Sequence, residues 1–472
     1  MWRISTIIIL IFLASKLKGQ LDAHYWSHQY GAKGLLLNGA VIASPDGETS
    51  IFYNPGYIGM NNELGFAFSF LSPTYARLRT QNLIGDNNII NDESVGYSPG
   101  YFGVRFKPFK TDKIVAGIAA FERYSTNISF HDRVVDKVND LDLLLFRADI
   151  DFSRKISEEW IGIGLAYNPT ERIGIGISQF TVWHSQSLDL NFKKEILNVN
   201  EPQNILLGWR SEFGYNLSAY HGYITKLGFS YKGDNVILGL TYTSPLYAIL
   251  IKSASYYIED HRSNQATDEF SSISNRKSVD LDEYKSPTSL GIGLEFNSHN
   301  TSFSFASEYF YKVAQYNVFY DEDDSFDGIS NGEADITIDI NNADEGVLNF
   351  AAGVRHKFSE KATWYGGLRT DFDQKSSVLI NQNTEYLGAI GNIYHVSGGC
   401  TLKLNKNVIS LGIDLGYSTK SGGLQLADLS DITVDNLFTF SGKDNVTSKF
   451  YSAMLFLTYD FIFSGFQEVE DE

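Results

Sequence analysis

The chain has 472 residues, with 38 Lys and Arg against 56 Asp and Glu, which gives a formal net charge of −18 at pH 7. This acidic balance argues against a nucleic-acid-binding surface. The single cysteine excludes a disulfide framework and a cysteine-rich metal site. A chain of this length would ordinarily form about three domains of roughly 150 residues. We find no linker or change in composition that divides it, so one large unit is expected.

Residues 1–19 have the pattern of a secretory signal peptide. A basic start at Arg3 precedes an apolar run from Ile4 to Ala14, and small and polar residues follow up to Gly19. The apolar run is shorter than the roughly 20 residues that a membrane-spanning helix needs. We therefore predict export of the chain, with cleavage near Gly19.

Residues 20–61 are predicted to form a compact plug. Small residues recur through this segment and allow a backbone to pack closely against its surroundings. They are Gly31, Gly34, Gly39, Ala40, Ala43 and Gly47. The segment ends in the turn Asn54-Pro55-Gly56, in which Pro fixes one φ angle and Gly accepts another.

This segment resembles the hatch of the FadL-type outer-membrane transport proteins. The shared features are the Gly- and Ala-rich stretch, an acidic residue (Asp46), and an Asn-Pro turn just before the first strand. Gly56 departs from the Ala that the family usually has at that position. The resemblance implies a fourteen-strand barrel whose lumen holds the hatch, and a role in passing long-chain fatty acids or other hydrophobic compounds inward.

The rest of the chain predicts strands. Bulky apolar residues alternate with small or polar ones in Trp160–Leu165, Gly291–Phe296 and Ile409–Leu415. Alternation alone fits a soluble β-sandwich as well as an outer-membrane barrel, so the connections must decide. Six connections are short, namely 107–111, 168–170, 232–235, 297–300, 358–361 and 405–407. Seven are long and polar, namely 81–95, 124–157, 194–220, 258–284, 312–344, 379–390 and 419–447.

Short and long connections alternate along the chain, which is typical of bacterial outer-membrane barrels. Thirteen connections predict fourteen strands between residues 62 and 463. To keep the alternation, we assign Leu141–Phe152 to a loop although it has the pattern of a strand. The last strand carries an apolar stripe that ends at Phe463, and an acidic tail (464–472) follows. The predicted fold class is all-β, a transmembrane antiparallel barrel with an N-terminal plug in its lumen.

The sequence contains no pattern that indicates an enzyme. The nine His residues are scattered, and there is no Gly-x-Ser-x-Gly elbow or phosphate-binding loop. We therefore predict a protein without catalytic activity or cofactor. The alternative, a hydrolase embedded in a barrel, would need Ser, His and a carboxylate to converge through folding.

Three arginines are predicted to point into the lumen: Arg105, Arg355 and Arg369. Because a guanidinium group binds a carboxylate through two parallel hydrogen bonds, one of them could hold the head group of an amphipathic ligand. The alternative is an internal network that braces the wall. Inward-facing carboxylates available for such a network are Glu295, Asp414 and Asp460.

Gly117 is a candidate kink in the third strand. The stretch Ile114–Phe121 does not alternate, and a Gly inside a strand often marks a bulge or kink. The FadL-type resemblance implies that such a kink opens the wall sideways towards the bilayer. A wall strand that packs tightly against the plug explains the same residues.

The acidic loop from Asp321 to Glu345 contains a weak calcium candidate. Asp323, Ser325 and Asp327 alternate as oxygen ligands before Gly328, but the twelfth place of the loop is Ala334, where an acidic ligand is expected. We assign no metal on this basis. The other interpretation is a solvated exterior loop that bridges divalent cations with lipopolysaccharide.

The sequence therefore predicts a monomeric barrel in the outer membrane of a Gram-negative bacterium. Its expected partners are a hydrophobic small molecule, outer-membrane lipids and lipopolysaccharide, with no nucleic acid. The alternative function belongs to a different class. A FadL-like barrel can serve as a cargo-binding adaptor of the type IX secretion system, which would require exterior loops shaped to hold a protein.

Overall fold

The computed structural model describes residues 24–60, 64–69, 72–98, 100–137, 144–250, 254–265, 269–279, 284–320, 327–329, 339–376, 390–423, 425 and 443–463. The predicted signal peptide and the acidic tail lie outside these ranges, as do both ends of the predicted hatch. Their assignments stay predictions.

Fourteen antiparallel strands form one closed barrel. They are β1 (Gly65–Ser69 and Ser72–Gln81), β2 (Ile89–Ser98 and Tyr101–Phe106), β3 (Ile114–Lys137), β4 (Leu144–Thr170), β5 (Ile173–Asn198), β6 (Glu201–Lys232), β7 (Val236–Thr243, Tyr247–Leu250 and Ala254–Asn264), β8 (Glu269–Val279 and Ser289–Ser298), β9 (Thr301–Phe310), β10 (Val347–Lys357), β11 (Ala362–Asp371), β12 (Ile393–Leu404), β13 (Asn407–Gly423) and β14 (Val446–Ile462). Each strand pairs with its neighbours in the chain, and β14 closes the barrel against β1, with Gly65 opposite Ile462. The predicted count of fourteen is confirmed.

The six connections at one rim are short, as the sequence predicts, but the turn predicted at 168–170 lies at 171–172, because β4 continues to Thr170. The other rim differs from the prediction, because much of the polar sequence assigned to long loops is strand. β3 to β6 contain 24, 27, 26 and 32 residues, whereas about 9–11 residues cross a membrane. The assignment of Leu141–Phe152 to a loop was wrong, since Leu144–Phe152 belongs to β4 and pairs with β3 and β5. The strand count survives because the extra residues lengthen existing strands.

The outer face of the barrel carries an apolar band. On β4 the outward side chains are Ile161, Ile163 and Leu165, all exposed. Exposed tyrosines mark the upper edge of the band, including Tyr242, Tyr309, Tyr394, Tyr417 and Tyr451. An apolar band bordered by aromatic residues is the lipid-facing surface of a transmembrane barrel. Among the described residues, no helix is long and apolar enough to cross a membrane.

Residues 24–60 lie inside the barrel, and we refer to this segment as the hatch. It contains α1 (Gly31–Leu36), α2 (Ser50–Tyr53) and a 3₁₀ turn at Pro55–Tyr57. α1 contacts β11 to β14, whereas the 3₁₀ turn contacts β4 to β7 on the other side. Nearly all hatch residues are buried. Gly39 follows α1 with φ +85°, a left-handed conformation that favours glycine at this sharp turn.

A second hydrophobic core lies beyond the lipid band, where the long strands continue outward. Their inner faces contribute Ile128, Phe130, Ile150, Phe152 and further apolar residues, and these pack with the connection between β1 and β2 through Leu83 and Ile84. The outer face of the same strands carries ion pairs, such as Arg147 with Glu195. The extension is therefore a folded, solvent-facing structure with its own core.

Candidate functional site

The Asn54-Pro55-Gly56 turn fixes the hatch to the wall. The side chain of Asn54 is fully buried, and its Nδ2 donates hydrogen bonds to the carbonyl oxygens of Ile42 at 2.8 Å and Phe229 at 3.1 Å. Its Oδ1 accepts a hydrogen bond from the backbone N–H of Gly56 at 3.0 Å. One side chain thus closes the turn, joins it to the preceding hatch loop and ties it to β6.

Glycines in the wall allow the hatch backbone to approach directly. A Cβ atom on Gly176 of β5 would lie 2.1 Å from the Pro55 carbonyl oxygen, and one on Gly174 would lie 2.0 Å from that of Gly56. On β6, a Cβ atom on Gly228 would lie 2.3 Å from Asn54 Oδ1. A Cβ on Gly56 itself would meet the Gly228 backbone at 2.8 Å. An alanine at position 56, which the FadL-type resemblance implies, would therefore overlap this wall.

A buried ion pair anchors the other side of the hatch. Lys33 Nζ lies 2.8 Å from Glu295 Oε2 on β8, and Ser44 also donates to this carboxylate. Burial lowers the pKa of Lys33 below its usual value, and Glu295 opposes the shift. Arg355 lies 3.5 Å from the other oxygen of Glu295 and donates to Ser302 Oγ at 2.7 Å.

Arg105 and Arg369 also point inward, and both contact the hatch. Arg105 is almost fully buried, donates to the Ile58 carbonyl at 2.7 Å, and lies 3.3 Å from Glu48. Arg369 donates to the Ser27 carbonyl at 3.1 Å and lies 3.9 Å from Asp414. These contacts are those of an internal network. The head-group role that we considered for Arg105, Arg355 and Arg369 stays a prediction.

A chamber lies above the hatch, between it and the wall of β3 to β9. Its cavity volume is about 60 Å³. Aromatic rings from both sides line it, among them Tyr25, Trp26, Phe52, Trp160 and Phe310. Two carboxylates also line it, and both already have donors: Glu308 accepts from Trp26 Nε1 and Ser289 Oγ, and Glu158 accepts from Trp160 Nε1.

Two cations face this aromatic chamber. Lys226 on β6 is 5% exposed, and its Nζ lies 4.7 Å from the centroid of the Phe52 ring. No hydrogen bond or ion pair joins its Nζ to a described residue. The guanidinium of Arg123 lies 5.7 Å from the same ring centroid and donates to the Tyr25 carbonyl. The chamber therefore offers an apolar volume with positive charge beside one ring.

Sequence reasoning missed both cations. Lys226 alternates with the outward-facing Leu227, so the same pattern that selected the three arginines could have found it. Arg123 could not be found in this way, because it is an extra residue at a bulge, where Glu122 and Tyr124 oppose Glu159 and Glu158. A bulge changes the face that a residue occupies.

The ladder is continuous at Gly117, and the kink considered there stays a prediction. Gly117 pairs with Arg105 on β2 and Gly164 on β4 in an unbroken register, and the irregularity lies farther along, at Arg123. Its small size instead admits the hatch, since a Cβ atom there would lie 2.5 Å from Ile51 Cδ1. Packing against the hatch, the alternative considered above, accounts for this glycine.

The calcium candidate lies mostly outside the described residues. Asp323 and Ser325 are not among them, and only the backbone of Asp327 is described, in a short strand (Asp327–Ile329) that pairs with the outer part of β8. Within the described part of the chain, no three His, Cys, Asp or Glu residues group as metal ligands do.

The fold was compared with solved structures. A FadL homologue of Pseudomonas aeruginosa aligns over 93% of this chain and 99% of its own, with a TM-score of 0.58 and 11% identity. The toluene transporter TodX of P. putida aligns over 92% and 99%, with a TM-score of 0.57 and 13% identity. The toluene transporter TbuX of Ralstonia pickettii aligns over 92% of this chain and 98% of its own, with a TM-score of 0.52 and 14% identity. The chain has the FadL-type fold.

By sequence, no protein-family model and no curated protein matches the chain. The structural likeness confirms, at the level of the fold, the resemblance read from the hatch. Single-chain barrels with an even number of strands and an apolar outer band are outer-membrane proteins of Gram-negative bacteria. The chain is assigned to that membrane.

Proposed function

We propose that this FadL-type barrel takes up hydrophobic or amphipathic small molecules across the outer membrane. The observation that carries the proposal is the chamber above the hatch, with its aromatic walls and the buried Lys226 beside the Phe52 ring. An apolar volume with a few placed polar groups is the usual form of a small-molecule site. Two of the structural relatives described above are toluene transporters by name, which supports a hydrophobic ligand.

The charge in the chamber favours an amphipathic ligand with an anionic head group, such as a fatty acid. Glu308 is the carboxylate that interacts electrostatically with Lys226, and it already accepts hydrogen bonds from Trp26 and Ser289. A ligand carboxylate would stabilise the buried cation further. Lys226 would bind the head group, with Arg123 beside it, while the acyl chain lies against Trp26, Trp160 and Phe310. Arg105, Arg355 and Arg369 then act as hatch anchors.

Transport needs no cofactor in this proposal. The barrel works as a monomer in contact with outer-membrane lipids and lipopolysaccharide, and it has neither a nucleic-acid partner nor catalytic activity. The ligand enters from the exterior side, occupies the chamber, and passes inward when the hatch shifts.

Native mass spectrometry with lipid extraction tests the proposal on barrel purified in a mild detergent. We expect a co-purifying amphipath that is lost from Lys226→Met. The matched control is Lys194→Met, because Lys194 is also buried, 3% exposed, and lies 5.2 Å from the Phe192 ring centroid in the exterior core. Loss in both variants, or in neither, would contradict a head-group site at Lys226.

Binding of matched probes separates ligand classes. If the head group matters, dodecanoate should bind wild-type protein at least tenfold more tightly than dodecane, and Lys226→Met should remove this preference. If a neutral hydrocarbon binds wild-type protein and Lys226→Met equally, the proposal of hydrophobic uptake remains, but the proposed preference for an anionic head group is excluded.

One observation supports a second function, the type IX secretion adaptor. β3 to β6 project far beyond the lipid band with a charged outer face, which gives a large rigid surface for a protein. This function would be favoured if the purified barrel pulls down a secreted protein while its chamber stays empty of ligand. Pull-down should be measured for Arg147→Ala and compared with that for Lys155→Ala. If Arg147→Ala still pulls down the protein, the charged face is excluded as the contact.

A further inference from the structure

The rim with the six short turns, which is the periplasmic rim of such a barrel, carries its positive charge on one side. Three of these turns contain seven lysines and only two acidic residues, and all nine side chains are exposed. We call these three turns the basic arc, and they are residues 107–113, 357–361 and 403–406. The other short turns (171–172, 232–235 and 297–300) have two basic and two acidic residues. In a chain with a net charge of −18, this concentration of lysines indicates a surface for an anionic partner.

The basic arc is continuous around the point where the barrel closes. The backbone N–H of Lys403 donates to the Lys361 carbonyl at 2.8 Å, so these two turns lie side by side. The N–H of Ile462, at the end of β14, donates to the Lys406 carbonyl at 2.9 Å. On its other side β14 pairs with β1, and β1 pairs with β2, which leads into 107–113. The end of β14 therefore lies in the middle of the basic arc.

Most lysines of the basic arc are not neutralised by a neighbour. Lys107 forms an ion pair with Asp112 in its own turn. The amino groups of five other lysines make no ion pair or hydrogen bond with a described residue, and these are Lys110, Lys113, Lys357, Lys361 and Lys406. On the opposite side of the rim, Arg172 pairs with Asp234 at 2.8 Å. The basic arc thus keeps an excess of positive charge.

The basic arc also exposes large apolar side chains. Each of its turns has one, namely Phe109, Phe358 and Leu404, and more than half of each side chain is exposed. The other three short turns contain no large apolar residue. Exposed apolar side chains that are grouped on one surface mark interaction sites. A partner of the basic arc should therefore combine negative charge with apolar groups.

The chain itself contains a segment of this composition at this place. Residues 464–472 follow directly on Phe463, the last residue that the structure describes. Four of these nine residues are acidic, and Phe466 and Val469 are apolar. Nine residues can extend over about 30 Å, whereas neighbouring strands lie only about 4.8 Å apart. The segment can therefore reach all three turns of the basic arc.

Anionic phospholipid of the inner leaflet is the other candidate for this surface, since such lipids attract lysines. Lipid surrounds the whole barrel, however, so attraction to lipid alone would favour lysines on all six short turns. The lysines are instead confined to the turns that flank Phe463. This distribution favours a partner that is present at one place on the rim.

We propose that the acidic segment 464–472 docks on the basic arc, with its carboxylates beside the arc lysines and Phe466 against the exposed apolar side chains. Each exposed ion pair is weak and is screened by salt. The segment is covalently joined to the arc, however, which gives it a high effective concentration there. Docking of this segment does not depend on the proposed uptake function.

Protease protection tests the docking on the full chain in a neutral detergent. Chymotrypsin cleaves after Phe466, and mass spectrometry measures the release of 467–472. Each rate is divided by that of the unfolded protein, which corrects for the sequence at the cleavage site. At low salt, Lys403→Glu with Lys406→Glu should be cleaved at least fivefold faster than wild type. Wild type should become equally fast at high salt, because salt screens exposed charges.

The matched control changes the same number of charges on the neutral side of the rim. Arg172→Glu with Lys232→Glu should be cleaved at the wild-type rate. Equal rates in the arc variant and in wild type would overturn the inference. An arc variant and a control that are both cleaved faster would overturn it as well, because the effect would not be specific to the basic arc.

A charge exchange tests whether the two surfaces touch. Glu468→Lys with Glu470→Lys should by itself expose the segment to chymotrypsin. Combined with Lys403→Glu and Lys406→Glu, it should restore slow cleavage, since opposite charges face each other again. A combined variant that is cleaved as fast as either parent would contradict docking through these charges.

A lipid probe distinguishes the other candidate. Phosphatidylglycerol is added to the detergent, and native mass spectrometry counts the bound lipids. If Lys403→Glu with Lys406→Glu loses bound phosphatidylglycerol while its segment is cleaved at the wild-type rate, the basic arc is a lipid surface and the inference is overturned. If the segment docks, the arc variant should instead show the faster cleavage without any added lipid.

Discussion

The hatch contacts and the chamber occupy the same lumen and are built in opposite ways. Where the hatch meets the wall, backbone lies against backbone over glycines, and a buried cation has its carboxylate. In the chamber, Lys226 lies against the Phe52 ring, and its Nζ makes no ion pair with a described residue. The difference shows that the first region is complete without a ligand. The chamber has the composition of a binding site that a ligand would complete.

The largest effect should come from breaking the buried pair between Lys33 and Glu295. In Lys33→Met the carboxylate loses its nearest cation, and removing one partner of a buried pair costs about 3–5 kcal/mol. Arg355 partly compensates, so we expect the lower end of this range. Guanidinium unfolding in detergent measures it, and hydrogen exchange should show a loosened α1.

The double variant Lys33→Met with Glu295→Leu sharpens this prediction. Apolar replacement of both partners is often nearly neutral, so much of the lost stability should return. A double variant that is less stable than either single variant would contradict the pair as the anchor. Arg172→Met serves as the control, since its pair with Asp234 is exposed and worth only about 0–1 kcal/mol.

A smaller but still large effect should follow from Gly176→Ala. The added methyl would overlap the Pro55 carbonyl, and overpacking of this kind costs roughly 1–3 kcal/mol. Protease digestion of folded barrel should release hatch fragments faster. Gly398→Ala is the matched control, because its Cβ would have 3.7 Å to the nearest atom. Equal digestion of both variants would mean that the glycines do not seat the hatch.

The start of the hatch should respond to pH through His24. Burial acts to lower the pKa of His24, but the carboxylate of Asp371 at 3.5 Å raises it overall. Protonation is therefore favoured in the folded state. Its stabilising contribution is fully present below about pH 6.5, the unfolded value, and is lost as the pH rises through the folded pKa.

Hydrogen exchange at the start of the hatch should accordingly become faster on the alkaline side, after correction for intrinsic rates. In His24→Gln this pH dependence should disappear. His299→Gln, in an exposed turn, should behave as wild type. Faster opening at acidic pH would reverse the sign and exclude His24 as the group responsible.

The sequence predicts features that depend on neighbouring residues, but it does not predict contacts between residues far apart in the chain. Turn residues and the two-residue period are local, so the strand count and the inward direction of Arg105, Arg355 and Arg369 could be read directly. Their partners could not, because Glu48 and Ser27 lie in the hatch, far away in the chain. Alternation predicts the face of the strand on which a side chain lies, but only the folded structure shows which residue the side chain contacts.

The wrong loop assignment has a physical explanation. Leu141–Phe152 was assigned to a loop because a separate strand there would have broken the alternation of short and long connections. The structure continues the existing strands into water, where a polar outer face and an apolar inner face make a stable sheet. The kink considered at Gly117 stays a prediction, because close packing against Ile51 requires a small residue there in the same way.

The smallest effect on stability is expected in the chamber. This small effect distinguishes the chamber most clearly from the hatch contacts. Lys226→Met loses a cation–π contact worth roughly 0.5–2 kcal/mol, but it also removes a buried charge that makes no ion pair with a described residue, and burying such a charge is itself costly. We therefore expect a change in unfolding free energy within about 1 kcal/mol of zero, whereas Lys33→Met is strongly destabilised. The same unfolding measurement compares both variants. If Lys226→Met were as unstable as Lys33→Met, the lysine would be a structural anchor, and the chamber would be part of the hatch packing instead of a site for a guest.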